Sequence, residues 1–484
     1  MNYKMIGRIL ALILAIEAIL MLPAFILTMV DGEPFVSRAF RLTFYIMIIV
    51  IVLLMFLCRN ARMKFYAREG LVCVGLCWIV MSLTGCLPFF FSRQIPHYVD
   101  ALFEIVSGFT TTGASIISNV EVISRGLLYW RSFSHWIGGM GVLIFLLALI
   151  PISGKNHGFT LHLMRAESPG PDVGKLMPRM RETALILYII YVALTVLDTI
   201  FLLLGGMPFF DSICTAFGTA GTGGFGVRAD SLASYSPYLQ WVTTVFMMLF
   251  GVNFNMYYLL ILRNFKIILK DGELKLYLGF FLGSTLLITL NIFRLYPGIF
   301  VSLRHAAFQV ATVMTTTGYA TADFDRWPVF SKTILLCLMV SGACAGSTGG
   351  GMKWARVSLL YKAMRRNLRK LLYPRRVEVI RMNGAVVDER IVDNTMAYLA
   401  VYCLIAVGSF LIISLDGFSV ETNLSGMLAC FNNIGPGLGE VGPTLNYENY
   451  SVLSKLVLIF DMLAGRLEIF PIIVLFSGST WNRK

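Results

Sequence analysis

The chain has 484 residues, of which 57% are hydrophobic and 14% charged, with a mean hydropathy of +0.75 and a formal net charge of +13. A soluble protein of this length could not bury so much apolar surface, so the composition indicates an integral membrane protein. The positive charge lies mainly in loops between apolar segments, which is typical of a membrane protein and does not indicate nucleic-acid binding.

Ten apolar segments are each long enough to cross a bilayer, which requires about 20 helical residues. In chain order they are residues 8–30, 38–58, 69–91, 126–150, 183–206, 237–263, 274–296, 328–364, 391–415 and 450–478. The first is too long for a signal-peptide core and has no clear cleavage site, so we expect it to be retained as a helix.

Four shorter apolar segments lie between the long ones, near residues 98–110, 208–219, 302–315 and 421–433. Each is too short to cross a bilayer and ends in an uncharged loop centred on glycine. Such irregular backbone is tolerated at membrane depth only where it lines a water-filled path. The pattern predicts an all-α integral membrane protein with four pseudo-symmetric helix–pore-loop–helix repeats around one central pore, preceded by two extra transmembrane helices.

The four loops are variants of one another and align on Gly113, Gly223, Gly318 and Gly435. This alignment predicts two N-terminal helices followed by four repeats, the second starting with a cytosolic loop, the third having a broken second helix and the fourth starting with a cytosolic hairpin. The boundaries are residues 1–68, 69–152, 153–268, 269–373 and 374–484.

The loops have the composition of a cation filter. Rings of backbone carbonyls can replace the hydration shell of a cation, and glycine allows the backbone conformations that aim them at one axis. The loops contain no Asp or Glu, which favours a monovalent cation. The candidate filter residues are Thr111, Thr112, Gly113, Thr222, Gly223, Thr316, Thr317, Gly318, Ile434 and Gly435.

The eighth apolar segment is interrupted by the small residues of 341–351. Each interior glycine costs a helix about 1 kcal/mol, so we expect a flexible intramembrane loop under the filter. Close helix packing through small residues is the alternative. The candidate gate residues of this loop are Gly346, Gly349, Gly350 and Gly351.

Arg466 lies in the last apolar segment. A guanidinium at membrane depth normally faces an interior cavity or a charged partner. It is therefore a second candidate functional residue. The alternative is a structural ion pair with Asp461 or Glu468.

Basic residues predict the orientation of the chain. The N-terminus, the C-terminus and the loops 59–69, 153–182, 263–275 and 353–390 together hold 28 of the 40 Lys and Arg residues. The positive-inside rule assigns these segments to the cytoplasm, with both termini, and the glycine loops then face outward.

The basic segment 353–390 also contains a hairpin signal. Alternating apolar residues flank Asn383-Gly384 in 377–387, which predicts a small β-hairpin.

Several motifs make the chain similar to the Trk/Ktr/HKT superfamily of potassium transporters, and most of all to its bacterial TrkH branch. These are residues 107–113 (Ser-Gly-Phe-Thr-Thr-Thr-Gly), 134–141 (Ser-His-Trp-Ile-Gly-Gly-Met-Gly), 315–318 (Thr-Thr-Thr-Gly), 346–353 (Gly-Ser-Thr-Gly-Gly-Gly-Met-Lys) and 464–468 (Ala-Gly-Arg-Leu-Glu). The resemblance covers essentially the whole chain. The fourth loop departs most from the pattern, with Asn-Ile-Gly-Pro in place of Thr-Thr-Gly.

The resemblance implies a potassium-uptake pore in the bacterial inner membrane, made by one polypeptide that imitates a tetrameric channel. Through the motif 464–468, it also implies that Arg466 is a gate residue, a pore-facing cation beneath the filter. The transported ion would be K⁺, with no organic cofactor, and its ligands would be Thr111, Thr112, Thr222, Gly223, Thr316, Thr317, Asn433 and Ile434. The implied partners are a second copy of the chain and a cytosolic TrkA-type nucleotide-binding ring beneath the hairpin, besides the lipid bilayer.

Two other classes of function compete with a gated pore. An ion-coupled (H⁺ or Na⁺) secondary transporter would need alternating access and a coupling site, which a four-fold repeat does not favour. A membrane enzyme is disfavoured because the sequence has no cluster of nucleophile, base or metal ligands at membrane depth.

Overall fold

The structure of the protein is a computed structural model that describes residues 1–60, 66–141, 180–375 and 377–481. These residues are mostly helical. The helices are α1 (Tyr3–Val30), α2 (Pro34–Leu57), α3 (Ala67–Gly85), α4 (Leu87–Phe91), α5 (Tyr98–Phe109), α6 (Arg125–Gly139), α7 (Met180–Leu204), α8 (Phe209–Gly221), α9 (Pro237–Phe250), α10 (Phe254–Ile261), α11 (Phe265–Lys270), α12 (Gly272–Ile292), α13 (Ile299–Met314), α14 (Val329–Val340), α15 (Trp354–Leu372), α16 (Glu389–Ile413), α17 (Val420–Phe431), α18 (Val452–Arg466), α19 (Phe470–Phe476) and α20 (Gly478–Trp481). The two strands are β1 (Arg381–Met382) and β2 (Ala385–Val386).

Six helices of the described part of the chain are long and apolar enough to cross a membrane, which makes the chain a multi-pass membrane protein. Their residues are Tyr3–Val30, Pro34–Leu57, Arg68–Phe91, Ala184–Leu204, Gly272–Ile292 and Glu389–Asp416. They match six of the ten apolar segments that the sequence predicts as spans. The core forms where these helices contact the shorter ones, and their outward surfaces expose large apolar side chains, as a surface facing lipid requires.

Three of the ten predicted segments are not single continuous helices: the break in 328–364 is predicted by the sequence, whereas the breaks in 237–263 and 450–478 are not. Segment 237–263 consists of α9 and α10, which meet at an angle of 89°. Segment 328–364 is interrupted between α14 and α15, where the small residues predict a break. In segment 450–478, α18 ends before Glu468 and Ile469, whose φ angles of 53° and 71° are incompatible with a continuing α-helix. For segment 126–150, α6 ends at Gly139, and residues 142–150 lie outside the described residues, as does most of the loop 153–182.

The bend between α9 and α10 has a tertiary cause. The loop after α14 inserts into it, so that the backbone N–H of Cys344 donates to the carbonyl of Gly251 (3.0 Å). The N–H of Phe254 in turn donates to the carbonyl of Gly346 (3.0 Å). Backbone groups freed by the break are thus paired with the loop, as the interior of a membrane protein requires.

The predicted hairpin is present. Arg381 pairs with Val386 and Met382 with Ala385 in antiparallel register, and Asn383 and Gly384 have φ angles of 48° and 83°. Two left-handed central residues are what a two-residue turn between twisted strands needs.

The side chain of Asn383 also holds the hairpin against the start of α12. It accepts a hydrogen bond from the N–H of Gly272 (3.0 Å) and donates one to Asp271 Oδ2 (2.7 Å). The hairpin is therefore attached to the start of α12, although more than 100 positions separate the two in sequence.

The Asn383→Ala variant should loosen this hairpin. It removes both hydrogen bonds and places alanine in a left-handed conformation, which together cost about 1–2 kcal/mol. Hydrogen–deuterium exchange should be faster in peptides covering 377–388, including the amide of Val387 that donates to Ile380 (2.9 Å). Val377→Ala is the control, because Val377 is 93% exposed. Equal exchange in both variants would contradict the anchoring role.

Candidate functional site

Four short helices, α5, α8, α13 and α17, occupy the four positions where the sequence predicts half-length helices. One or two residues beyond each C-terminus, a residue adopts a left-handed conformation. These residues are Thr111, Thr222, Thr316 and Asn433, with φ angles of 55°, 56°, 57° and 56°. A β-branched residue seldom adopts this conformation, so its occurrence in three loops indicates that the surrounding contacts impose it.

Two residues further along, each loop has a glycine with positive φ. These are Gly113, Gly224, Gly318 and Gly435, with φ angles of 81°, 78°, 90° and 98°. The alignment on Gly223 is therefore wrong by one residue, and Gly223 corresponds to Thr112. Consecutive glycines at 223 and 224 leave the register of this loop ambiguous in the sequence, whereas the left-handed conformation of Thr222 shows it in the structure.

The four loops contact one another in a closed ring. A Cβ atom added to Gly113 would lie 2.0 Å from the carbonyl oxygen of Gly223, and one added to Gly224 would lie 2.0 Å from that of Thr317.

The next two contacts complete the ring. A Cβ on Gly318 would lie 2.1 Å from the oxygen of Ile434, and one on Gly435 would lie 2.7 Å from that of Thr112. Each glycine thus leaves room for the carbonyl that precedes the glycine of the next loop. Only a residue without a side chain permits this approach at all four junctions.

The first and third loops each contain one hydrogen bond between two threonine hydroxyls at equivalent positions. Oγ1 of Thr110 lies 2.7 Å from Oγ1 of Thr112, and Oγ1 of Thr315 lies 2.7 Å from Oγ1 of Thr317. The fourth loop joins the first through Asn433, whose Nδ2 donates to Thr112 Oγ1 (3.0 Å). The predicted filter residues are thus brought together by the structure.

Side-chain oxygens of the left-handed residues form a second group of potential ligands. Oγ1 of Thr111 and Oδ1 of Asn433 are buried and have no hydrogen-bond partner among the residues that the structure describes. Because a buried polar atom without a partner is costly, these oxygens fit a ligand such as a cation. Oγ1 of Thr316 instead accepts a hydrogen bond from the N–H of Gly350 (2.6 Å).

The interrupting loop between α14 and α15 lies directly against these residues. It is closed at its base by a bridge between Ser341 and Met352, where the N–H of Gly342 donates to the carbonyl of Met352 (2.8 Å). Gly346 and Gly351 have φ angles of 70° and 66°, which explains why glycine is needed there. The alternative of a continuous, closely packed helix is wrong.

Arg466 holds this loop from the opposite side. Its Nη1 donates to the carbonyl of Thr348 (2.7 Å), and its Nη2 donates to the carbonyls of Gly138 and Gly139, the latter at 2.8 Å. One guanidinium therefore links the interrupting loop to the C-terminus of α6. Carbonyl dipoles at a helix C-terminus stabilise a cation.

The two carboxylates considered as ion-pair partners of Arg466 have contacts elsewhere. Oδ1 of Asp461 accepts a hydrogen bond from Ser409 (2.7 Å), and Glu468 forms a salt bridge with Arg356. Lys353 donates to the carbonyls of Gly349 and Gly350, so that a second cation lies under the ring. The sequence alone gives no signal for this role of Lys353.

Two cavities adjoin the ring. The first is lined by the interrupting loop, Lys353 and Arg466. The second is lined by the four positive-φ glycines and residues that follow them. The ring and the loop thus lie between two concave spaces, as a path for small ions requires.

The described residues contain no group of three or more His, Cys, Asp and Glu that could hold a metal ion. The ligands that the site offers are neutral oxygens, from backbone carbonyls, hydroxyls and one amide. They suit a weakly bound alkali cation.

Comparisons with known proteins agree along the whole chain. The family model of TrkH, described as a cation transport protein, matches residues 36–483. The Trk system potassium uptake protein TrkH of Salmonella typhimurium is 35% identical, and that of Escherichia coli strain K12 is 34% identical, each with 100% of both chains covered. The crystal structure of the potassium transporter TrkH from Vibrio parahaemolyticus superposes with a TM-score of 0.89 at 31% identity, also with 100% of both chains covered.

Fold, site and comparisons define the class as a multi-pass membrane protein of cation transport. Within that class, the chain belongs to the TrkH family, as its sequence motifs predict.

Proposed function

We propose that this protein takes up potassium across the bacterial inner membrane through a gated, selective pore. The observation that carries the proposal is the closed ring of Gly113, Gly224, Gly318 and Gly435, in which each glycine admits the preceding carbonyl of the next loop. The four loops and their flanking helices would be four quarters of one pore. The names of the relatives, potassium uptake proteins of the Trk system, support K⁺ as the cargo.

Selectivity would arise from carbonyl and hydroxyl oxygens that replace the water around the ion. The carbonyls of Thr112, Gly223, Thr317 and Ile434 would form one layer of ligands. The side-chain oxygens of the left-handed residues Thr111, Thr222, Thr316 and Asn433 would lie next to them. The short helices end at these loops, so their negative C-terminal dipoles would stabilise the cation.

Gating would depend on the interrupting loop and Arg466. The hydrogen bond from Gly350 to Thr316 Oγ1 engages an oxygen of the filter, and Arg466 fastens the same loop through Thr348. Arg466 and Lys353 also bring positive charge beneath the ring, which opposes the passage of cations where water is scarce. Both effects would keep the pore closed until the loop moves.

Control of this gate would come from the cytosolic side. With both termini in the cytoplasm, the basic residues of α15 and the hairpin face the cell interior. They would form the docking surface for a nucleotide-binding subunit of the TrkA type, and two copies of the chain would assemble above it. The pairing of Arg356 on α15 with Glu468 connects this surface to the residues around Arg466.

Growth and flux measurements test the proposal. A bacterium without its own potassium uptake should grow at low external K⁺ when it expresses this chain with its cytosolic partner. In proteoliposomes, the reversal potential should follow the K⁺ gradient and change little when Na⁺ or pH gradients are imposed. A reversal potential that follows the pH or Na⁺ gradient would instead identify an ion-coupled transporter, and absence of K⁺ flux in folded protein would overturn the proposal.

A further inference from the structure

A buried ion pair connects the first two glycine loops. Arg131 on α6 and Glu104 on α5 are 2% and 0% exposed, and Nε of the arginine lies 2.5 Å from Oε1 of the glutamate. Burying two charges is costly unless further hydrogen bonds satisfy them. The partners that supply those hydrogen bonds lie directly after the filter glycines.

Glu104 holds the residues that follow Gly113. Its carboxylate accepts hydrogen bonds from the hydroxyl of Ser115 (3.1 and 3.2 Å to the two oxygens) and from the N–H of Ile116 (2.9 Å). Hydrogen bonds to a charged group are about twice as strong as neutral ones. Glu104 therefore determines where the first loop leaves the ring.

Arg131 holds the residues that follow Gly224. Its Nη1 donates to the carbonyl of Gly226 (3.1 Å), and its guanidinium carbon lies 3.4 Å from the centre of the Phe225 ring. This is within the range of a cation–π interaction.

His135, one helical turn along α6, contacts the same phenylalanine. Its Nε2 accepts from the N–H of Phe225 (3.3 Å), so the proton is on Nδ1, which donates to the carbonyl of Gly108 (2.7 Å). The second loop is thus held by α6, which follows the first.

We propose that Arg131 and Glu104 are a pair of positioning residues for ion selectivity. Together they set the distance between the first and second loops, and with it the distance between the carbonyls of Thr112 and Gly223. The junction between the fourth and first loops is held differently, by the neutral Tyr447, whose hydroxyl donates to Gly435 (2.7 Å) and whose N–H donates to Ser115 (2.9 Å). The inference rests on the proposed function, because it requires Gly113 and Gly224 to belong to the filter.

The Glu104→Gln variant tests this role. Glutamine keeps the size of the side chain but removes the charge that pairs with Arg131. It also replaces one of the two oxygens that accept from Arg131 and Ile116 with an NH₂ group, which cannot accept. We expect the permeability ratio of K⁺ to Na⁺, from reversal potentials under bi-ionic conditions, to fall on the order of tenfold. The gain in melting temperature that K⁺ provides over Na⁺ should fall as well, because bound ligand stabilises the folded state. A second change, Arg131→Gln, should add little in the double variant, since paired residues are not additive.

A matched control lies one turn earlier on α5. Asp100 pairs with Lys455 (2.7 Å) on α18, away from the residues after the filter. Asp100→Asn removes an ion pair from the same helix and should leave the permeability ratio unchanged. An equal loss in Asp100→Asn would show a general effect of destabilising α5 and would overturn the inference.

Ser115→Ala tests the same role in case the Glu104→Gln variant does not fold. It removes hydrogen bonds of Glu104 without leaving a buried charge unpaired, so we expect a smaller loss of selectivity in the same direction. A parental ratio in Ser115→Ala, or in folded Glu104→Gln, would overturn the positioning role. Gly113→Ser in the same assay distinguishes failure of this inference from failure of the proposed function. A lowered permeability ratio in Gly113→Ser with an unchanged ratio in Glu104→Gln would contradict only the positioning role. An unchanged ratio in Gly113→Ser would contradict the proposed filter itself.

Discussion

In the Gly113→Ser and Gly318→Ser variants, the permeability ratio of K⁺ to Na⁺ is expected to fall about tenfold. The added Cβ would lie 2.0 Å from the carbonyl oxygen of Gly223 in the first case and 2.1 Å from that of Ile434 in the second. These carbonyls must move, and a side chain at a φ of 81° or 90° adds strain of about 1–2 kcal/mol. A change of 1.4 kcal/mol corresponds to a factor of ten in an equilibrium constant. Reversal potentials in bi-ionic K⁺ and Na⁺ solutions measure the effect.

Two further variants make the filter test specific. Gly224→Ser should behave like Gly113→Ser, because its Cβ would lie 2.0 Å from the carbonyl of Thr317. Gly279→Ser is the control, since a Cβ there meets no atom within 4 Å. An unchanged ratio in the three filter variants, with folded protein in the membrane, would exclude these loops from selectivity.

The Arg466→Ala variant is expected to raise potassium flux, even without the cytosolic partner. It removes the hydrogen bonds to Thr348, Gly138 and Gly139 and a positive charge from beneath the ring. Deletion of several residues of 346–351 should have the same effect. Flux of ⁸⁶Rb⁺ into proteoliposomes measures it, and the K⁺ to Na⁺ ratio should largely survive, because the filter residues are unchanged.

Arg466→Lys distinguishes the two ways in which Arg466 can close the pore. Lysine keeps the charge but lacks the planar fork that reaches three carbonyls. Low flux in Arg466→Lys together with high flux in Arg466→Ala would identify electrostatic repulsion as the barrier. High flux in both would identify the hydrogen bonds to the loop. Lower flux than the parent in folded Arg466→Ala would contradict the gate role and favour a structural one.

Local sequence was sufficient for several features of the molecule. The half-length helices were predictable because 12–16 apolar residues followed by a glycine loop cannot cross a bilayer. The Asn383-Gly384 turn follows from the left-handed conformations that these two residue types accept. The interruption at 341–351 follows from the poor helix propensity of its glycines. In each case, nearest neighbours in the chain decide the conformation.

Other features depended on contacts between residues far apart in the chain. The register of the second loop is determined by packing of Gly224 against Thr317, so the consecutive glycines alone could not reveal it. The bend at Gly251 exists because the interrupting loop pairs with its backbone. The partners of Arg466 are carbonyls more than 100 positions away, whereas the sequence suggested the carboxylates beside it. Backbone carbonyls occur at every position, so only the tertiary structure decides which of them a buried guanidinium meets.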